Sequence, residues 1–548
     1  MHDFPAVAER AHATKATAFD AIVIGAGISG MYMLYRLREL GMTARVFESG
    51  TSLGGTWYWN RYPGARFDSE SWTYGYSFSK ELMQEWDWKE HFSPQPDTLD
   101  YLNHVADKFD LRRDMQFRST VTSAAWDDAA NRWTVTLESG EQATSRYLCT
   151  AIGILSVPTL PTIPGLGTFK GPTYHPARWP HTPVDFTGKR VGIIGTGATA
   201  IQAIPEIAKQ AERLTVFQRR PNWAAPLHNA RISKAEMEEI KSRYDEIYAH
   251  CATTPGWFIH QTDPRKALDV SPEEREAFWE KLYAEPGFGI WMGNFRDILI
   301  DENANALMSA FVAKKIRERV KDPAIAEKLI PKDHGFGLRR VPLESGYFEA
   351  YNRDNVQLVD VINDEPIECI TPKGVKTSKQ DYEFDILITA TGFDAVTGAF
   401  DKIDFRGPNG IRLKDVWTDG QPRTYLGMLA DGFPNLLMAL GPHTARGNIP
   451  QAIEHSVNFQ AGLLRFMQEH GYSRVETRPE HVAEWTETVI KASEPLLSSK
   501  VDSWQTGVNR NVEGRQVRRV LGYNGNGEHF RKTTDAVTKG GYKEFSFR

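Results

Sequence analysis

The sequence predicts an α/β protein with two Rossmann-like dinucleotide-binding domains and a helical insertion in the second. Three observations point there. Two glycine-rich turns, Gly25-x-Gly27-x-x-Gly30 and Gly195-x-Gly197-x-x-Ala200, each follow a short apolar run and open a segment of helical period. The chain has 548 residues, and at roughly 150 residues per domain that means two to four domains. Residues 229–330 repeat apolar side chains at helical spacing, as in "SKAEMEEIKSRYDEIYAH" and "ENANALMSAFVAKKIRERV".

Composition narrows the function classes. A hydrophobic content of 41% and a charged content of 25% are those of an ordinary globular protein. The net charge of -5 offers nothing to nucleic acid or an anionic membrane. No apolar run approaches the roughly 20 residues that span a bilayer. The first residues lack the apolar core of a signal peptide and read as a loose polar tail. Cys149, Cys251 and Cys369 are odd in number and far apart, so no disulfide framework and no metal site is expected, and a reducing cytoplasm suits them. The 15 Trp and 28 Phe serve mostly as core, with enough left to wall a flat conjugated cofactor. Oligomeric state is expected to be monomer or weak homo-oligomer.

The first turn sits in full context. Ala21–Ile24 form a buried strand, Met31, Leu34 and Leu37 lie on one helix face, Gly41 ends that helix, Ala44–Phe47 form a second strand, and Glu48 closes it. Strand, turn, helix, strand, acid is the order that the dinucleotide fold needs. The glycines let backbone approach a pyrophosphate at a helix N-terminus, and Glu48 can take both ribose hydroxyls.

The second turn reads Gly195-Thr196-Gly197-Ala198-Thr199-Ala200 after the strand Val191–Ile194. Its second strand, Leu214–Phe217, ends not in an acid but in Gln218, Arg219 and Arg220. An acid would repel a 2′-phosphate and arginines attract one, so this half prefers NADPH. Two such folds in one chain suggest a flavoprotein, with FAD at the first site and NADPH at the second. The strands "YLCTAIG" and "FDILITATGFD" read as crossings back to the first domain, and Pro158, Pro161 and Pro164 as a stiff linker between the domains. The expected division is a flexible tail at 1–18, the FAD domain at 19–157 and 384–548, the NADPH domain at 158–228 and 331–383, and the insertion at 229–330.

Directly after the linker stands Phe169-x-Gly171-x-x-x-His175-x-x-x-Trp179-Pro180. With it goes a second pattern, Gly55-x-Trp57, Tyr62-Pro63-Gly64 and Asp68. On these motifs the sequence resembles the Baeyer–Villiger monooxygenases of the phenylacetone and cyclohexanone type, from about residue 20 to about residue 510. The resemblance implies a ketone substrate, O2, FAD and NADPH, with NADP⁺ retained during turnover. It implies that reduced flavin and oxygen give a C4a-peroxide, which must stay anionic to attack a ketone and yield an ester or lactone.

The same resemblance assigns residues. Arg340 is the active-site arginine, a cation that stays protonated and offers forked donors to peroxide and oxyanion. Asp68 lies beside it and holds it. Arg339 contacts the NADP phosphate, Trp504 lies near the nicotinamide, and Thr56 and Trp57 join the flavin site. His175 supports domain movement and flavin environment. "GPHTARGN", 441–448, corresponds to a loop beside the flavin whose shorter length favours a less obstructed pocket. Two alternatives stay open: a flavin N- or S-oxygenating enzyme, whose motif ends in Tyr where this chain has Trp179, and a non-catalytic nucleotide-binding redox sensor. A flavin disulfide reductase is excluded because it needs a redox cysteine pair.

Overall fold

The computed structural model describes residues 17–417 and 420–548. Of the expected tail, residues 1–16 lie outside the described residues, and Ala18 already belongs to the first strand.

The first sheet grows from β1 (Ala18–Ile24), α1 (Ile28–Glu39) and β2 (Ala44–Phe47). Ala21, Ile22 and Val23 are fully buried because β1 is covered on both faces, which is why an unbroken apolar run suits it. The sheet continues with β3 (Met115–Gln116), β4 (Val121–Asp127), β5 (Arg132–Leu137) and β6 (Gln142–Thr150). β1, β2, β3 and β6 run parallel, whereas β4 and β5 form an antiparallel extension. α1 packs against α3 (Ile449–His470), joining Met31, Leu34 and Leu37 to Val457, Leu463 and Leu464 in one core.

The second sheet is parallel throughout. It comprises β7 (Thr173–Tyr174), β8 (Arg190–Ile194), β9 (Arg213–Gln218), β10 (Val356–Asp360) and β11 (Ile386–Thr389), in the order β10-β9-β8-β11-β7. α2 (Ala198–Ala208) connects β8 to β9. Helices over Lys234–Ser242, Tyr244–Cys251, Pro272–Ala284, Glu302–Arg319 and Pro323–Leu329 occupy the stretch read as an insertion. Among the described residues no helix is long and apolar enough to cross a membrane.

One expectation is corrected here. "FDILIT" does not begin the return to the first sheet. It forms β11, paired with β8 from Ile386 opposite Val191 to Thr389 opposite Ile194. The chain crosses back only after Thr389, and it rejoins the first sheet through β12 (Asp404–Arg406) on β4 and β13 (Leu436–Met438) on β6. An apolar strand of this kind fits either parallel sheet, so its composition could not choose between them.

Two crossing segments join the domains. They run side by side, with Val396 N donating to Ile154 O (2.8 Å), Asp394 N to Val157 O (2.9 Å) and Thr159 N to Gly392 O (2.9 Å). Val396 holds a φ of 65°, a left-handed conformation unusual for a β-branched residue. The hinge is therefore a short two-stranded ribbon with one strained residue.

Candidate active site

Each glycine turn is shaped by a carbonyl of the neighbouring strand end. Gly25 has a φ of 102°, and a Cβ there would lie 2.4 Å from Ala151 O. Gly195 repeats this with a φ of 113° and a Cβ 2.3 Å from Ala390 O. At Gly30 the space is taken by the turn itself, with Gly25 O only 1.8 Å from the Cβ position. Only glycine fits all three places.

The turns fit dinucleotides on several counts. Neither N-cap, Gly27 or Gly197, supplies a side-chain cap, so the first amides of α1 and α2 are left for a ligand. A Cβ on Gly197 would meet no protein atom within 4 Å, which leaves open space where a pyrophosphate would lie. Gly27 faces Gly55 so closely that a Cβ on Gly55 would stand 2.8 Å from Gly27 Cα. Glu48 is buried and already takes Ala26 N (2.8 Å) and Gly50 N (2.7 Å), which orients the carboxylate at the end of β2. Thr56 is exposed at the start of the short helix Thr56–Trp59, while Trp57 is buried edge-on to Phe67 and Tyr74.

The basic strand end lies in a cluster of arginines. Arg219 makes no ion pair among the described residues, and burial together with Arg220, Arg510 and Arg339 lowers its pKa. Asp333 binds Arg339 (3.2 Å) and Arg220 (3.4 Å), and hydrogen bonding from His334 holds its carboxyl below the usual range. Thr196 Oγ1 donates to Arg220 O (2.8 Å), tying the turn to this cluster. Thr199 stands in the first turn of α2, against the Tyr62 hydroxyl. Two acids, Asp333 and Asp502 (3.8 Å from Arg510), among four arginines leave a net positive locus, which suits a 2′-phosphate. Arg510 and Asp333 were missed in the sequence. The spacing of Asp333 just ahead of Arg339 was the one available signal.

Asp68 and Arg340 meet as the resemblance implies. Arg340 Nη2 donates to Asp68 Oδ2 at 2.7 Å, and Leu343 N donates to the same oxygen at 3.2 Å. The Asp68 side chain is 0% exposed and that of Arg340 29%. A fully enclosed carboxylate thus anchors one edge of a part-exposed guanidinium.

The Phe169–Trp179 stretch lies against the hinge. Gly171 has no room for a Cβ, which would fall 2.7 Å from the Phe169 ring and 2.8 Å from Asp385 O. His175 accepts from Ala177 N (3.1 Å) and meets the Phe393 ring edge-on, and Trp179 is buried against Tyr174 and Phe186. Arg178 donates to Ser156 O and lies over the Trp59 ring at 4.4 Å. Burial lowers the His175 pKa to about 4, so the ring is neutral near pH 7. Trp504, like Ile154 and Leu155, packs against the cluster of Ala395, Val396 and Leu521, again at the hinge. Asn509, also missed, donates to Phe393 O at 2.9 Å.

Two nucleotide cradles sharing one hinge, with a basic locus on one and an acid-anchored arginine near their junction, define a two-nucleotide oxidoreductase. The chain belongs to the flavin-binding monooxygenase-like family, whose model matches residues 19–302. It is 44% identical over 97% of its length, and 98% of the relative, to 2-oxo-Δ3-4,5,5-trimethylcyclopentenylacetyl-CoA monooxygenase of Pseudomonas putida. It is 42% identical to cyclohexanone 1,2-monooxygenase of Acinetobacter sp., covering 90% of each chain, and 39% identical to a phenazine N-monooxygenase of Lysobacter antibioticus, covering 96% of this chain and 97% of the relative. The structure of OTEMO complexed with FAD and NADP is similar with a TM-score of 0.93 and 44% identity, covering 97% of this chain and 100% of the other.

Proposed function

We infer that this chain is an FAD-dependent Baeyer–Villiger monooxygenase, which uses NADPH and O2 to convert a ketone to an ester or lactone. The observation that carries the reading is the buried Asp68 holding Arg340 in a chain alignable over nearly its whole length with ketone monooxygenases.

Bound FAD supplies the electrons that activate oxygen. The protein's part is binding, orientation and charge. Gly25, Gly27, Gly30 and Glu48 hold the FAD dinucleotide, with Thr56 and Trp57 along its flavin end. Gly195, Thr196, Gly197 and Thr199 hold the NADPH pyrophosphate, and Arg219, Arg220 and Arg339 its 2′-phosphate. Arg340 presents a fixed cation to the negative charge that builds on oxygen during transfer, and Asp68 keeps it aimed while offsetting its desolvation. Trp504 would border the nicotinamide of bound coenzyme and help exclude water from the site. His175 and Trp179 brace the hinge across which the two domains move. The protein works in the cytoplasm as a monomer or weak homo-oligomer, without nucleic acid or membrane partners.

The test is a panel of cyclic, aromatic and long-chain ketones given with NADPH and O2, with esters followed by gas chromatography. Ester or lactone formation is expected. A protein that oxidises amines, sulfides or phenazines and no ketone would overturn the reading in favour of heteroatom oxygenation.

A further inference from the structure

Gln202 stands one turn inside α2, the helix whose N-terminus faces the coenzyme pyrophosphate space. Its side chain leaves the NADPH domain. Oε1 accepts from the Tyr62 hydroxyl at 2.8 Å. Nε2 donates to Arg66 O at 3.1 Å and to Asp68 Oδ1 at 3.3 Å. Its backbone carbonyl meets Gly64, whose φ is 80° and where a Cβ would lie 2.4 Å from Gln202 O. One residue of the coenzyme helix therefore grips Tyr62, Gly64, Arg66 and Asp68 of the opposite domain.

The two oxygens of Asp68 are divided. Oδ2 takes Arg340 and Leu343 N, and Oδ1 takes Gln202. The carboxylate is 0% exposed, so an Oδ1 without its donor would be buried and unsatisfied. The relief open to it is rotation about Cβ–Cγ, and that rotation carries Oδ2 away from Arg340.

We propose that Gln202 is a positioning residue for the oxygen-transfer step: it fixes the Asp68 carboxylate, and through it Arg340, from the helix that binds the coenzyme. This rests on the ketone-oxygenating reading above. Gln202 touches neither substrate nor flavin in this role. Coenzyme seated at Gly197 would steady α2, and α2 would steady the arginine. Oxygen transfer would then be coupled to an occupied coenzyme site.

The test compares FAD-loaded full-length wild type with Gln202→Glu, Gln202→Leu and Tyr62→Phe. Gln202→Leu removes the donor to Asp68, whereas the carboxyl of Gln202→Glu, set beside a buried carboxylate, takes up a proton, can still donate to Asp68 and should uncouple less than Gln202→Leu. Stopped-flow absorbance reads flavin reduction, and ester and hydrogen peroxide are counted against NADPH. Uncoupled turnover balances as NADPH + H⁺ + O2 → NADP⁺ + H2O2. In Gln202→Leu, flavin reduction should stay within about twofold of wild type while ester per NADPH falls about tenfold or more, the size expected for one lost hydrogen bond to a charged group. Hydrogen peroxide should account for the difference. Tyr62→Phe leaves both Asp68 contacts in place and should uncouple far less, so it keeps the proposal testable if either Gln202 variant folds poorly: strong uncoupling in folded Tyr62→Phe would overturn it. Ester per NADPH unchanged in Gln202→Leu, or reduction and ester falling by the same factor, would also overturn it. No ester from any ketone with the wild type would instead defeat the underlying reading, so the two failures are told apart.

Discussion

Asp68 and Arg340, 272 residues apart, form an ion pair at 2.7 Å whose carboxylate is wholly buried and whose guanidinium is part-exposed. The proposed roles rest on that asymmetry, with the acid as anchor and the arginine as the working group. Hydride transfer needs nicotinamide and flavin in contact, so it depends little on this pair. Arg340→Ala should still let NADPH reduce the flavin, while ester formation falls by about 10²–10³, as for loss of one preorganised donor. Ester formed near the wild-type rate in the variant would remove Arg340 from the chemistry.

Arg219 is the arginine of the basic cluster without an ion-pair partner among the described residues, and its neighbours are three more arginines. Its charge is free for a ligand. Arg219→Ala should raise the KM for NADPH by the equivalent of about 1.5–3 kcal/mol, the range for hydrogen bonds to charged groups. The KM for NADH should hardly move. Equal losses with both coenzymes would mean that the residue supports structure and does not read the phosphate.

Gly195 and Gly197 belong to one turn yet should respond in opposite ways. Gly195→Ala puts a Cβ 2.3 Å from a backbone carbonyl at a φ of 113°, so it should lower thermal stability. Left-handed strain alone costs about 1–3 kcal/mol. Gly197→Ala meets nothing within 4 Å and should leave the Tm unchanged while raising the KM for NADPH, because the methyl group fills the ligand's space. Thermal melts beside coenzyme titrations separate the two, and normal coenzyme affinity in Gly197→Ala would place the pyrophosphate elsewhere.

His443 is fully buried, and burial lowers its pKa from 6.5 to about 4. Its folded pKa lies below its unfolded one, so between those values the unfolded chain binds a proton that the folded chain refuses. Stability present above 6.5 is therefore lost as pH falls towards 4. His175 and His455 are held at about 4 for the same reason and act in the same direction. Glu454, raised to about 7 by burial, acts in the opposite sense, favouring the fold at low pH and less as pH rises from 4.5 to about 7. With three histidines against one carboxyl, the Tm should drop on acidification below pH 6.5. His443→Gln should flatten part of that slope, as melting curves across the pH range will show, and an unchanged slope would mean that His443 does not titrate on unfolding.

The local parts of this protein are written in the sequence by itself. Gly25 and Gly195 announce turns because no other residue fits their φ values and contacts, and Gly30 belongs with the first because a Cβ there would strike Gly25 O. The strand-turn-helix-strand order around them reports two nucleotide cradles, and the change from Glu48 to Gln218-Arg219-Arg220 reports which phosphate each tolerates. These features act over a few residues, so a linear pattern records them. Asp68 and Arg340 came from resemblance to a family, since nothing in their spacing shows that they meet. Only the tertiary structure decided that "FDILIT" belongs to the second sheet, because β8 offered it an open parallel edge. Only it brought Arg510 to the basic cluster and Gln202 to Asp68. Such partners depend on how two separately folded sheets dock, and an amide side chain inside an ordinary helix carries no mark of the buried oxygen that it will meet across the interface.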